Sequence, residues 1–403
     1  MKNLAIAVTL GSMLAVASPA LGQDVFDLEI GDVARRASTF TPQTDVIVAT
    51  ADGAELSPEE IAARLADTRL LLIGESHTTM DFHRIQARVL RALQATGRSV
   101  LIGLEMFPVT EQPSLDRWNA GDWTDDEFVT NSEWYQHWGY NWLYYREIFE
   151  VARSGGSHMF AINAPRASVT AVRQKGLDGL TAEEQVGIPP RIDTDDADHL
   201  HLFKSYFADD TGGTHGGMTD EMWQSMFAAQ CTWDGAMAWN AVQALESAGD
   251  PDAIMVVIVG SGHVAYGLGI ARQAADYFEG EIATLIPVPV SDSDGEPTGV
   301  VRGSYADFVW GIPGEAQPLY PSLGLSVTDS DEGLSVLFGD PESLGGKAGI
   351  AAGDKILTID GWTVPNKLTY NRIMADKRWG DHVELVVERA GARQEFPIAL
   401  RRN

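Results

Sequence analysis

Two short apolar runs each stop at a glycine and present a histidine three residues later. Leu70-Leu71-Leu72-Ile73 leads into Gly74-Glu75-Ser76-His77, and Ile254-Met255-Val256-Val257-Ile258-Val259 leads into Gly260-Ser261-Gly262-His263. Runs of this length that are apolar at every position are strands buried on both faces, which is the pattern of a parallel sheet covered by helices. The rest of the chain must supply those helices and further strands.

It does so in alternation. A helix is expected from about Asp81 to Gln94, with Phe82, Ile85, Val89 and Leu93 on one face. Strands follow at Val100–Leu104, ending on Glu105, and at His158–Ile162, ending on Asn163 with Arg166 just beyond. Ile282–Val288 closes the set, and a helix is expected to begin near Tyr266. The fold class is therefore α/β, a mostly parallel sheet with flanking helices. Ligands of such sheets bind outside the carboxyl ends of the strands. Glu75, His77, Glu105, Asn163, Arg166 and His263 all fall at those ends.

Two histidines and two glutamates at one edge suit a divalent metal, with His77, His263, Glu75 and Glu105 as ligands. The same four can instead be catalytic, an imidazole activating water and a glutamate orienting it. The bland alternative is a hydrogen-bonded network that only holds the sheet top together, and two such motifs after buried strands favour a functional role over it. His83 lies in the helix after His77 and can face the site from its first turn or simply cap the helix; His137, His199, His201 and His215 read as surface histidines. No Gly-x-Gly-x-x-Gly follows the first strand, and Walker and Gly-x-Ser-x-Gly sequences are missing. Without Cys-x-x-Cys-His, any haem is noncovalent.

Two long connections leave from the same edge. Residues 106–157 are rich in Trp and Tyr, and 181–247 carry Met222, Trp223, Met226, Phe227, Trp233 and Met237 at helical spacing. They are expected to form an inserted helical lid, with Gly212, Gly213, Gly216 and Gly217 marking a mobile loop.

Composition narrows the partners. With 57 Asp+Glu against 29 Lys+Arg, the net charge of -28 argues against nucleic acid and anionic membrane surfaces. Residues 1–22 read as a cleaved signal peptide, with Lys2 ahead of an apolar run and small residues after it, and no transmembrane helix is expected in the mature chain. The one cysteine, Cys231, lies far from that junction, so no lipid anchor is expected there. A periplasmic or secreted protein follows. Its main domain is expected over 23–310 and a smaller β-rich domain over 318–403, where Gly353-Asp354 and Asp360-Gly361 punctuate short alternating strands.

The motifs Gly74-Glu75-Ser76-His77, Gly103-Leu104-Glu105-Met106-Phe107, Ile162-Asn163-Ala164-Pro165-Arg166, Gln230 to Ala238 and Gly260-Ser261-Gly262-His263 together resemble the ChaN family of haem-binding uptake proteins, in the wider Tiki, TraB and erythromycin-esterase-like group. The resemblance covers about 45–290. It implies an α/β core with a helical subdomain, a role in haem or iron uptake and trafficking, and noncovalent haem held by a tyrosine of the helical part in a homodimer. Tyr206 is the tyrosine assigned here, with Asn163, Arg166 and His83 around the cofactor. Relatives in the wider group use the paired Gly-x-x-His and the glutamate for metal-dependent or hydrolytic chemistry, which keeps a peptidase-like or esterase-like hydrolase open as the alternative. The chain departs from the ChaN pattern in lacking a lipid-anchor cysteine. Residues 318–403 are similar to a PDZ domain, through Lys347-Ala348-Gly349-Ile350 and Ser322-Leu323-Gly324-Leu325. That likeness implies capture of a peptide or protein C-terminus by Leu323, Gly324 and Leu325, the captured chain adding as a strand.

Overall fold

The computed structural model describes residues 23–207, 219–292, 295–314 and 318–402. The expected signal peptide and the loop glycines 212–217 lie outside the described residues. The described residues divide into two compact bodies, one of residues 23–132 and 143–314, the other of residues 133–142 and 318–402.

The larger body is built on one eight-stranded sheet. Its strands, with two short ones that pair apart from it, are β1 (Thr39–Phe40), β2 (Ile47–Ala49), β3 (Ala54–Leu56), β4 (Thr68–Glu75), β5 (Val100–Pro108), β6 (His158–Asn163), β7 (Ile254–Gly260), β8 (Glu281–Pro289), β9 (Val301–Arg302) and β10 (Phe308–Ile312). The order is β3-β2-β10-β8-β4-β7-β5-β6. The strands from β10 to β6 run parallel, and β2 pairs antiparallel with both its neighbours, β10 and β3. The two Gly-x-x-His strands, β4 and β7, are neighbours at the centre, with Glu75 opposite Gly260. Every residue of β7 is buried, as its uniform apolarity requires.

Helices cover both faces. The first, α1 (Pro58–Arg64), starts on a capping box in which Ser57 and Glu60 exchange bonds. After it come α2 (Met80–Ala95), α3 (Gln112–Asn119), α4 (Asp125–Asn131), α6 (Arg146–Gly155), α7 (Arg166–Lys175), α8 (Ala197–Ser205), α9 (Asp220–Ser247) and α10 (Ile270–Ala274), while α5 (Trp134–His137) falls in the smaller body. The 181–247 stretch is helical only from residue 197 onward among the described residues. The helix after His263 begins at Ile270, not near Tyr266. Single 3-10 turns at Ser261–His263 and Ala265–Gly267 come first, and Tyr266 sits at φ +60 within the second. Among the described residues no helix is long and apolar enough to cross a membrane.

The smaller body has its own core around Leu334, Ile359, Leu385 and Val387. Its strands are β11 (Leu325–Ser330), β12 (Gly333–Gly339), β13 (Lys355–Ile359), β14 (Trp362–Thr363), β15 (His382–Arg389) and β16 (Ala392–Ala399), with α11 (Leu344–Lys347) and α12 (Lys367–Ala375). All pairings in it are antiparallel, and β11 is an edge strand.

Candidate functional site

The glycines of the two motifs are there for space. A Cβ on Gly74 would lie 2.9 Å from Ser261 Oγ, and one on Gly260 would lie 3.1 Å from His77 Cε1 and 3.7 Å from His263 Cδ2. The two imidazoles thus meet over the backbone of Gly260, at the carboxyl ends of adjacent central strands. His77, His263, Glu75 and Glu105, expected from four positions far apart in sequence, are brought together.

They form two acid–imidazole pairs. In the first, His77 Nδ1 donates to Glu75 Oε1 at 2.8 Å. Glu75 is completely enclosed: Tyr145 Oη donates to Oε1 at 2.6 Å and Gln86 Nε2 to Oε2 at 2.7 Å. Burial pushes the Glu75 carboxyl up, but the His83 and His77 side chains outweigh it and hold the pKa at about 2. Burial pulls His77 down, and its bond to Glu75 with the Glu105 charge more than restores it, so its pKa is raised.

In the second pair, Glu105 Oε2 accepts from Gly260 N at 2.8 Å and Oε1 lies 3.5 Å from His263 Nε2. His263 Nδ1 faces Asp234 Oδ1 at 2.5 Å. Burial disfavours the imidazolium, yet Asp234 and Glu105 together raise its pKa to about 10. Asp234 continues to His199, 3.6 Å away, and Arg272 Nη2 lies 3.1 Å from His199 Nδ1. His199 is 1% exposed, a core residue and not the surface histidine expected.

Glu105 does not follow its strand but lies within it. The strand β5 runs on to Pro108, and its register with β6 shifts between Leu104 and Pro108, which turns Glu105 to the site. Asn163 fixes that irregularity, donating from Nδ2 to the Glu105 carbonyl at 2.9 Å. His83 is beneath the edge, with Nδ1 3.1 Å from Gln86 Oε1 and Nε2 3.3 Å from the His77 carbonyl. Arg166 opens α7 and is exposed.

Tyr206 follows α8 and reaches the second motif: a Cβ on Gly262 would lie 3.6 Å from its Cε2 and 4.0 Å from its Oη. Its hydroxyl is buried and has no hydrogen-bond partner among the described residues. Burial raises its pKa well above the usual phenol value. A buried orphan hydroxyl costs stability, and a ligand that coordinates it removes that cost.

Tyr145, Gln86, Asp234 and Gln230, which lies 2.9 Å from His263 Nδ1, escape the sequence-based site. Gln86 sits three residues after His83 on one helix face, so helical spacing would have found it, and Gln230 and Asp234, one turn apart on α9, lie inside the Gln230–Ala238 motif without having been singled out. Nothing in the sequence marks Tyr145 among its aromatic neighbours.

The family model described as haem-binding uptake, Tiki superfamily, ChaN matches residues 61–273, more than half of the chain and the whole of this site. The chain belongs to the ChaN family. A PDZ domain model matches residues 321–400. The solved structure described as cofacial haem binding to ChaN of Campylobacter jejuni shares the fold, at 19% identity over 66% of this chain and 98% of that one, with a TM-score of 0.51. A structure of the HtrA-type protease AlgW with a decapeptide is similar over 21% of this chain and 30% of that one, at 22% identity and a TM-score of 0.19. A Bacillus cereus protein is 13% identical over 69% of this chain and 95% of that one, with a TM-score of 0.37. No curated protein matches the chain.

In this ChaN-family chain the expected PDZ loop takes the form its glycine dictates. Gly324 sits at φ +65, and a Cβ there would lie 2.2 Å from Ser343 Cβ. Leu323 turns its side chain into the core, while Leu325 starts the edge strand β11. The metal expectation fares differently. Among the described residues no three His, Cys, Asp or Glu side chains are arranged to hold a metal ion. The four expected ligands are engaged as Glu75–His77 and Glu105–His263 pairs instead.

Proposed function

We propose that this protein binds haem noncovalently for haem or iron uptake and trafficking, with Tyr206 as the iron ligand. Membership of the haem-binding ChaN family carries the reading. The buried, unpartnered Tyr206 hydroxyl beside Gly262 supports the choice of residue. A ferric haem supplies the Lewis acid that a phenolate ligates. The chain's part is to hold the phenol in a dry setting where its proton is retained until that acid arrives. The same reading keeps Asn163, Arg166 and His83 around the cofactor. Export through residues 1–22 and pairing of two copies around haem belong to the same reading, as does capture of a peptide terminus at 323–325.

Haemin titration of the purified protein tests it. A saturable Soret shift is expected in the wild type and its loss in Tyr206→Phe. No shift at stoichiometric haemin removes the reading; an undiminished shift in the variant removes only the ligand.

A second reading rests on the two acid–imidazole pairs. His263, held as imidazolium at neutral pH, is a general acid, and the ionised Glu105 beside it is a base. Hydrolysis of a small activated ester, abolished in His77→Ala and His263→Ala, is the expected outcome. Activity unchanged in both variants would exclude it.

A further inference from the structure

Behind His263 lies a line of buried polar side chains that neither reading of the site uses. Asp234, on α9, is completely buried between two imidazoles. Its Oδ1 faces His263 Nδ1 at 2.5 Å. Its Oδ2 faces His199 Nε2 at 3.6 Å and has no hydrogen-bond partner among the described residues. His199, on α8, turns its other ring nitrogen to Arg272, whose Nη2 lies 3.1 Å from Nδ1. Arg272, on α10, is itself fixed. Its Nη1 pairs with the Asp193 carboxylate, Nε donates to the Leu268 carbonyl at 2.9 Å and Nη2 to the Asp193 carbonyl at 3.2 Å. Every member of this line belongs to the larger body.

The chemistry of Arg272 decides where the proton of His199 sits. A guanidinium has five N–H donors and no acceptor. His199 Nδ1 must therefore accept, and the ring proton is on Nε2, the nitrogen that faces Asp234. The Cys231 thiol, 3.9 Å from the same Nδ1, is a second, weaker donor to it. Burial lowers the pKa of His199 against the pull of the Asp234 charge, and the Arg272 charge lowers it further. The Phe227 ring, edge-on at 4.9 Å, fixes the imidazole plane. His199 held in this way turns an N–H dipole toward one oxygen of Asp234 and leaves the other oxygen to His263.

We propose that Arg272 is a positioning residue of the sheet-edge site: by fixing the His199 tautomer it orients Asp234, and Asp234 orients the His263 ring. The ring nitrogen presented at the strand ends is then Nε2, 3.5 Å from Glu105 Oε1. Which nitrogen of an imidazole faces its site is set by the bond that the other nitrogen makes, and the partner of that bond is held by its own neighbours. The inference rests on the sheet edge as the site and not on the identity of its ligand.

The test uses the full chain and reads the ring nitrogens of His199 and His263 by nitrogen NMR, which separates a protonated nitrogen from a bare one. In the wild type, His199 is expected to carry its proton on Nε2 with Nδ1 bare. Arg272→Met keeps the length of the side chain and removes every donor. His199 is expected to lose its single proton position there, and the His263 resonances to shift. Arg272→Lys restores one donor and is expected to return both toward the wild type. Arg191→Ala, at an exposed arginine paired with Asp276, is the control and is expected to change neither. Haemin affinity and hydrolysis of a small ester are measured on the same samples. Whichever of them the wild type shows is expected to fall about ten-fold or more in Arg272→Met and to recover in Arg272→Lys.

A wild-type His199 protonated on Nδ1 overturns the proposal. So does a folded Arg272→Met with unchanged His263 resonances, or with undiminished binding or hydrolysis. If Arg272→Met does not fold, Asp193→Asn, which loosens the guanidinium from its exposed side, decides by the same resonances. If the wild type neither binds haemin nor cleaves the ester, the reading of the site fails while the resonances still judge Arg272.

Discussion

At the scale of single residues, the site is defined by how completely its carboxylates are answered. Glu75 is reached by Tyr145, Gln86 and His77 with almost no access to water. Tyr145→Phe removes one of these donors and is expected to destabilise the protein by about 1–3 kcal/mol, read from urea unfolding. A loss below a few tenths would mean that the hydroxyl is not needed there. Gly260→Ala drives a methyl against the His77 ring, so displaced His77 resonances and lower stability are expected.

The pH response follows from the same residues. Glu75, depressed to about 2, contributes stability that is present above its unfolded pKa near 4.5 and is lost as pH falls toward 2. His263, raised to about 10, contributes stability that is full below about 6.5 and is lost as pH rises toward 10. A melting temperature that declines between pH 7 and 10, with a flatter decline in His263→Gln, is the expected profile. An unchanged slope in the variant would show that another group sets the alkaline limb.

At the scale of elements, the two Gly-x-x-His strands work because they are adjacent and in register, with Glu75 opposite Gly260. The shifted register of β5 against β6 brings the third participant, Glu105, into line. On the smaller body, the loop before β11 depends on one glycine. Gly324→Ala meets both an unfavourable φ of +65 and Ser343 at 2.2 Å. It is expected to distort the loop and weaken capture of a chain end by ten-fold or more, measured by fluorescence anisotropy with a labelled decapeptide bearing a free apolar C-terminus. Equal binding in the variant would exclude that loop as the carboxylate receptor.

At the scale of the whole molecule, the charge of -28 is an unscreened burden at low salt. Self-repulsion destabilises the compact state, and the Debye length contracts from about 30 Å at 0.01 M to about 8 Å at 0.15 M ionic strength. The melting temperature is expected to rise over that range. A fall would mean that attractive pairs, such as Arg302–Asp27 and Arg35–Asp307, dominate the long-range balance.

The sequence by itself determined the parallel core. A strand buried on both faces must be apolar throughout, and few other environments ask for that pattern, so β4, β5, β6, β7 and β8 were legible, although β5 runs on past Glu105 to Pro108. The same logic placed Glu75, His77, Glu105 and His263 at one edge, because a parallel sheet puts all its carboxyl ends on one side. Only the tertiary structure decided how those groups are used. Which acid pairs with which imidazole depends on strand order and on the register shift in β5. Asp234 and His199 enter through α9 and α8, and Tyr145 through a connection whose aromatic residues carry no period that singles one out. The assignment of residues 133–142 to the smaller body was equally hidden. Its anchors, Asn141 on the Ala375 carbonyl and Asn371 on that of Tyr135, join positions more than two hundred residues apart. A local pattern records what a residue's immediate neighbours require of it, and contacts over such separations are fixed only when the whole chain packs.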